Sequence, residues 1–268
     1  MRSPEQLTDF VTKNPYLYGM PMLFPPNRIS DASFEFEGRK YTFPVNEANT
    51  GCFVHGIMHE TEFSVVKADK TEIELMYETT KDNPYLTFPH QFSVSVTYSL
   101  EGDRLLQKVK INNNSDENMP VGIGFHTTFN TQWCDECSVN ADVTKEFVRD
   151  KKYLPTGEYD TGSKIVKELH GTNGYNAKKE LSALFELGNN HQITMLLSDN
   201  LKIHYLLDEK YKYLMIFNTG SDGKYICIEP QSWISNCPNF KDREQYGFTY
   251  IKAKEELTYC SSIYCERK

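Results

Sequence analysis

Nothing in this sequence looks like a membrane span, a phosphate loop or a polyanion-binding face. No segment approaches the ~20 consecutive apolar residues that a bilayer crossing needs. GxGxxG and GxxxxGK[ST] are both absent, which removes the glycine-rich cradles for dinucleotides and nucleoside triphosphates. Gly122-x-Gly124 lacks the third glycine and runs on into strand residues. There is no G-x-S-x-G nucleophile elbow. Net charge is −8, and Lys151-Lys152 and Lys178-Lys179 are isolated pairs rather than a basic face, so a nucleic-acid partner is not expected. The first residues, MRSPEQLTDFVTKNP, contain no apolar core of a secretory signal, and the expected location is cytoplasmic with no membrane partner.

Cysteine is present but poorly arranged for metal. There are 7, an odd number, most simply reduced thiols. Cys134-Asp135-Glu136-Cys137 has ligand spacing, but Cys260 and Cys265 form only a looser pair at the far end of the chain. Zinc ribbons need two tight pairs, so the expectation is no metal. Asn113-Asn114-Ser115 matches a glycosylation sequon that has no use without secretion.

Aromatic residues are abundant, with 17 Tyr and 16 Phe, and favour half-buried pleated surfaces. Alternation confirms that bias. Gln91 to Leu100 places Phe92, Val94, Val96 and Tyr98 on one face and Ser93, Ser95, Thr97 and Ser99 on the other. Glu101-Gly102-Asp103 turns the chain into a return strand over Leu105 to Ile111. Ser33 to Phe43 reads as a hairpin about Glu37-Gly38. Further strands are expected at Glu62 to Val66, Glu72 to Tyr77, Ile193 to Leu197, Ile203 to Leu207, Tyr213 to Asn218 and Tyr225 to Ile228. Asp199-Asn200 reads as a turn. Helices are expected only at Pro4 to Thr12 and in part of Lys178 to Leu187, where ALFEL can equally start a strand. Asp150 to Asn176, rich in Gly, Thr and Lys, reads as loop over one face. Many short strands separated by turns mean an all-β sandwich or barrel, with no composition break to divide residues 1–268 into domains.

Polar catalytic residue types sit among these strands. Glu229 follows Tyr225-Ile226-Cys227-Ile228 and precedes Pro230, which restricts it to extended geometry; it reads as the end of a strand. Its competing reading is a surface glutamate before a turn. His126 follows two strand glycines, Gly122 and Gly124, a pattern of close backbone approach or a bulge; otherwise it is a core histidine bonded to a carbonyl. Arg28 follows the rigid Pro25-Pro26-Asn27 entry, and could equally make a surface salt bridge. His55 and His59 have metal-compatible spacing on a helix, but Gly56 and a preceding strand argue against that. His90 is a further candidate at the start of a long strand. A carboxylate and an imidazole at one site can move two protons on one substrate.

Leu23-Phe24-Pro25-Pro26-Asn27-Arg28-Ile29, Val54-His55-Gly56, Phe88-Pro89-His90-Gln91-Phe92, Gly124-Phe125-His126 and Ile228-Glu229-Pro230, in that order, resemble the aldose 1-epimerase (galactose mutarotase-like) family. The resemblance implies a single domain with a large antiparallel β-sandwich and few short helices. It implies a small-molecule sugar substrate, no metal and no cofactor, in a monomer or homodimer. By matching position it makes Glu229 the catalytic base and His126 the catalytic acid. Arg28 and His55 would hold sugar oxygens, and Asn27 would shape the site. Departures are Thr127-Thr128 where many members have Pro-Tyr, an N-terminus that looks shortened by a strand or two, and a distal-hydroxyl aspartate for which Asp208 is the candidate. Three functions compete: a mutarotase for free hexoses, an epimerase for a phosphorylated or otherwise anionic sugar, and a carbohydrate-binding protein without turnover. The second needs clustered cations, which Arg28, Arg39, Arg104 and Arg149 do not show as a sequence. The third has no need for a matched acid and base.

Overall fold

A computed structural model describes residues 1–6, 8, 15–198 and 201–267. Two antiparallel sheets of eight and nine strands face each other, with three small two-stranded sheets beside them. This is the expected all-β sandwich. The nine-stranded sheet runs in the order Tyr175–Asn176, Ser138–Ala141, Gln192–Ser198, Leu201–Leu207, Glu256–Arg267, Arg104–Asn113, Phe92–Glu101, Glu72–Glu78 and Ser64–Ala68. Its central hairpin pairs without interruption from Phe92↔Asn113 to Glu101↔Arg104. Phe92, Val94 and Val96 are buried with Val109 and Ile111, as their alternation requires. Ser64–Ala68, the outermost strand, is exposed along its whole length.

The eight-stranded sheet runs Met22–Leu23, Gly124–Phe125, Tyr225–Gln231, Tyr213–Phe217, Ser182–Leu187, Val143–Arg149 and Pro155–Asp160, with Thr127–Asn130 also paired to Tyr225–Gln231. Thr127 Oγ1 meets the Tyr205 hydroxyl of the other sheet at 3.3 Å. Thr127 pairs with Ile228, so Thr127 and Ile228 point into the sandwich. Period-two alternation then turns Cys227 and Glu229 to the outer face.

Two expectations are corrected. ALFEL lies in the strand Ser182–Leu187, because Ala183, Leu184 and Phe185 are all buried in the sheet interior. Asp150 to Asn176 is not plain loop. It forms the edge strand Pro155–Asp160, the helix Lys164–His170 and the strand Tyr175–Asn176, which is the edge of the opposite sheet. Ser163 caps that helix by accepting from Val166 N at 3.0 Å. The helix expected over Pro4 to Thr12 and the turn at Asp199-Asn200 lie largely or wholly outside the described residues. Asn113 of the sequon is buried and donates to the carbonyls of Glu117, Ile251 and Lys252, so its amide is committed to the fold. Among the described residues, no helix is long and apolar enough to cross a membrane.

Candidate active site

Tyr225–Gln231 is buried at every residue. Glu229 lies inside this strand and does not end it. On one side Met215 pairs with Glu229 and Leu214 with Pro230. On the other, Gly124 pairs with Gln231 and the next pair is Thr127↔Ile228, so the ladder skips Phe125 and His126. A proline lacking its N–H fits beside such a gap. The register is the same on both sides of the gap, so His126 stands opposite Glu229 and shares its outer face by ordinary alternation. His126 Nε2 then stands 3.1 Å from Glu229 Oε1, with the two side chains only 6% and 2% exposed.

The second wall comes from the Arg28–Ile29 and Phe53–Val54 pair. Asn27 and His55 both adopt left-handed backbone, at φ 57 and φ 65. Asn27 Oδ1 accepts from Arg28 N at 3.0 Å, and the Asn27 carbonyl accepts from His55 N at 3.0 Å. Gly56 follows at φ 65, where a Cβ would run into the Phe24 carbonyl and the Tyr85 hydroxyl. This tight turn sets the His55 ring edge-on to His126, 5.6 Å between centroids. Arg28 is held by a two-pronged pair with Glu47, Nε to Oε2 at 2.7 Å and Nη2 to Oε1 at 2.6 Å. Tyr153 lies under its guanidinium at 4.9 Å.

These groups line one cavity of ≈ 440 Å³, together with Tyr16, Ser182, Met215 and Phe217. Sheet register explains the last three: Met215 neighbours Glu229, Phe217 neighbours Cys227, and Ser182 neighbours Phe217. Burial pushes the Glu229 carboxyl up to about 8, although Arg28 and Arg149 pull the other way. Burial brings His126 down to about 3. His55 is also held well below its usual range, by burial and then by His126 and Arg28. Burial pushes Glu47 upward, but the bonds from Arg28 and Thr50 and the Arg28 charge together hold it below the usual carboxylate range.

The cavity therefore brings together all five residues singled out in the sequence: Asn27, Arg28, His55, His126 and Glu229. Other candidates fall elsewhere. His90 bonds the Tyr41 hydroxyl at 2.8 Å and Ser115 Oγ at 3.0 Å, a packed structural histidine. Asp208 accepts from Cys260 N at 2.6 Å in a turn of the other sheet, which removes it as the distal aspartate. Cys134 and Cys137 are buried thiols in the loop after Thr127–Asn130. Along the chain, His59 is the metal-compatible neighbour that spacing offers His55. The fold supplies two others, since ligand atoms of His55, His126 and Glu229 lie within 4.8 Å of one another, a donor set that suits a first-row divalent cation. Arg28 and Arg149 also converge on the Tyr153 ring, at 4.9 and 5.8 Å from its centroid. Glu47, Tyr16, Tyr153 and Arg149 escaped the sequence reading because each is defined by a partner distant in the chain.

Comparisons with known proteins agree with this fold. A galactose mutarotase-like protein from Clostridium acetobutylicum is 33% identical, with a TM-score of 0.91 over 100% of this chain and 85% of that one. A galactose 1-epimerase from Lactobacillus acidophilus NCFM is 15% identical with a TM-score of 0.75 over 100% of this chain and 85% of that one, a likeness of fold alone. The uncharacterized protein YihR of Escherichia coli K12 is 24% identical over 69% of this chain, which spans 63% of YihR. The aldose 1-epimerase family model matches residues 1–259, and the chain belongs to that family.

Proposed function

We propose that the protein is an aldose 1-epimerase that interconverts the α and β anomers of a free hexose. The observation that carries this is the buried 3.1 Å contact between His126 and Glu229 on the wall of a sugar-sized cavity. Glu229 is the base for the C1 hydroxyl and His126 the acid for the ring oxygen. In the resting site at neutral pH the pair shares one proton. Burial penalises both charged forms, so that proton rests on Glu229. Its transfer to His126 Nε2 creates a carboxylate beside an imidazolium, and the two new charges attract each other. The carboxylate then takes the C1 hydroxyl proton while the imidazolium protonates the ring oxygen. The C1–O5 bond breaks, leaving an open-chain aldehyde. Rotation about C1–C2 presents the other face, and the reverse transfers close the ring and restore both groups. Arg28, fixed by Glu47, and His55, fixed by the turn at Asn27, supply donors to sugar oxygens.

Polarimetry on fresh α-glucose and α-galactose tests this reading. Accelerated mutarotation that Glu229→Gln abolishes supports it, and sugar binding without any acceleration would make the protein a binder.

One observation favours an anionic sugar as the alternative substrate. Arg28 is neutralised by Glu47, whereas the Arg149 side chain donates to the neutral Ser182 carbonyl and to Ser182 Oγ. Faster anomerisation of glucose 6-phosphate or glucuronate than of glucose, reversed by Arg149→Ala, would select that reading.

A further inference from the structure

Arg2 and the residues from Tyr16 to Gly19, ahead of the first strand, are fastened to the face that bears His126. Arg2 N donates to the Thr128 carbonyl at 2.7 Å, Gly19 N to the Arg2 carbonyl at 2.9 Å, and Thr128 N to the Gly19 carbonyl at 3.0 Å. The Arg2 guanidinium lies over the rings of Tyr18 and Tyr225, at 4.7 and 4.5 Å. Thr128 Oγ1 donates to the Tyr16 carbonyl at 3.2 Å. Tyr16 is thus tied to a residue two positions beyond His126. Its ring meets all three imidazoles of the region, with centroids 4.2 Å from His59, 5.0 Å from His55 and 5.9 Å from His126. The His59 side chain is 1% exposed and rests on Glu60 at 3.3 Å. His59 does not line the cavity, so it backs Tyr16 from behind.

We infer that Tyr16 contacts the substrate, forming with His59 behind it an aromatic wall on which the C–H face of a bound sugar ring packs. The inference rests on the aldose 1-epimerase reading of the same cavity. Arg28, His55, His126 and Glu229 offer polar atoms suited to hydroxyls and a ring oxygen. A pyranose also carries apolar C–H surface, which needs a flat apolar partner. Met215 and Phe217 supply part of it from the sheet, and Tyr16 brings an aromatic face from outside the sheet. His59 is a positioning residue, because its ring fixes the Tyr16 ring without reaching the cavity.

The test compares Tyr16→Phe, Tyr16→Leu, Tyr16→Ala, His59→Phe and His59→Ala in the full chain. It measures KM and kcat by polarimetry, and galactose-induced shifts of the histidine C2 protons by NMR. Tyr16→Phe and His59→Phe keep a ring and should stay within about twofold of wild type in KM. Tyr16→Leu and Tyr16→Ala should raise KM about tenfold or more with a smaller loss in kcat. His59→Ala should show the same pattern more weakly. Tyr16→Leu keeps apolar bulk, so it stands in if the alanine variant does not fold. Wild-type KM in Tyr16→Leu, or equal losses in Tyr16→Phe and Tyr16→Leu, would overturn the inference and leave the function standing. A wild-type protein with neither turnover nor galactose-induced shifts would overturn the functional reading itself, and the role of Tyr16 with it.

Discussion

The two sheets of this molecule are built differently. In the nine-stranded sheet, Phe92–Glu101 and Arg104–Asn113 run ten residues each and Glu256–Arg267 runs twelve, paired rung by rung. In the eight-stranded sheet, Met22–Leu23 and Gly124–Phe125 are two-residue pieces, and the ladder beside Glu229 breaks at His126. The regular sheet buries apolar side chains and leaves little freedom for anything else. The broken sheet keeps its register but leaves backbone groups free for other segments, so that His126 N donates to the Pro21 carbonyl and Thr128 N to the Gly19 carbonyl. The buried His126–Glu229 contact sits beside that break. The long ladders supply rigid backing, and the interrupted sheet supplies flanks where other segments complete a cavity.

Substitutions can separate the two roles. The largest effect is expected in the broken sheet. Glu229→Gln and His126→Asn should each lose on the order of 10²–10⁴-fold in kcat while unfolding at denaturant concentrations close to wild type or higher. A variant that keeps wild-type turnover would sink the assignment of that residue. The converse belongs to the regular sheet. Ile111 is fully buried there, and Ile111→Ala should cost about 2–5 kcal/mol in urea unfolding with kcat for the folded fraction unchanged. A large kcat loss at full folding would erase the division of labour drawn here.

The pH dependence of stability gives a third test. Glu229 titrates at about 8 in the fold against a reference of 4.5, so the folded state holds its proton more tightly. Its contribution favours folding below 4.5 and is lost as pH rises through about 8. His126 works in the opposite sense. It is depressed from 6.5 to about 3, so its contribution is present above 6.5 and lost as pH falls through about 3. Comparing wild type with Glu229→Gln by urea unfolding at pH 5 and pH 8 isolates the first. The variant should gain on wild type by up to a few kcal/mol between those two conditions. A pH-independent difference would mean that Glu229 is not held protonated by burial. The smallest expected effect is at the cavity rim. Arg28→Lys keeps the charge but loses the fork toward Glu47, and should raise KM about tenfold with kcat nearly intact. An unchanged KM would remove Arg28 from substrate binding.

The same contrast explains what was legible in the sequence. Strands of the regular sheet were readable because Phe92, Val94 and Val96 alternate with serines and threonine over many residues. The hairpin at Glu37-Gly38 carried its own turn residues. The helix Lys164–His170 was not, since its seven residues are too short to establish a period among the glycines and threonines around it. Ser163 and Gly171, at its two ends, were the available signals. Arg28, His55, His126 and Glu229 stood out as ionisable groups stranded among apolar neighbours. Their common cavity did not, because no local pattern says that Arg28 lies near Glu229. The pairing of Arg28 with Glu47 and the approach of Arg149 to Tyr153 are tertiary facts of the same kind.

The outermost strand of the regular sheet, Ser64–Ala68, has a consequence for handling the protein. Val65 and Val66 are 61% and 53% exposed on an edge with no further strand beyond it among the described residues. Such an edge can template another chain and nucleate aggregation. Two devices blunt it. The register shifts between Val65 and Lys67, and Lys67 is engaged by Glu72 at 2.6 Å and Asp69 at 3.5 Å. The shift kinks the edge, and the lysine places a charge where an incoming strand would have to lie. Storage at high concentration is therefore expected to depend on Lys67 as well as on the kink, and chemical acylation of surface amines should strip that charge while leaving the Glu229 and His126 side chains unmodified.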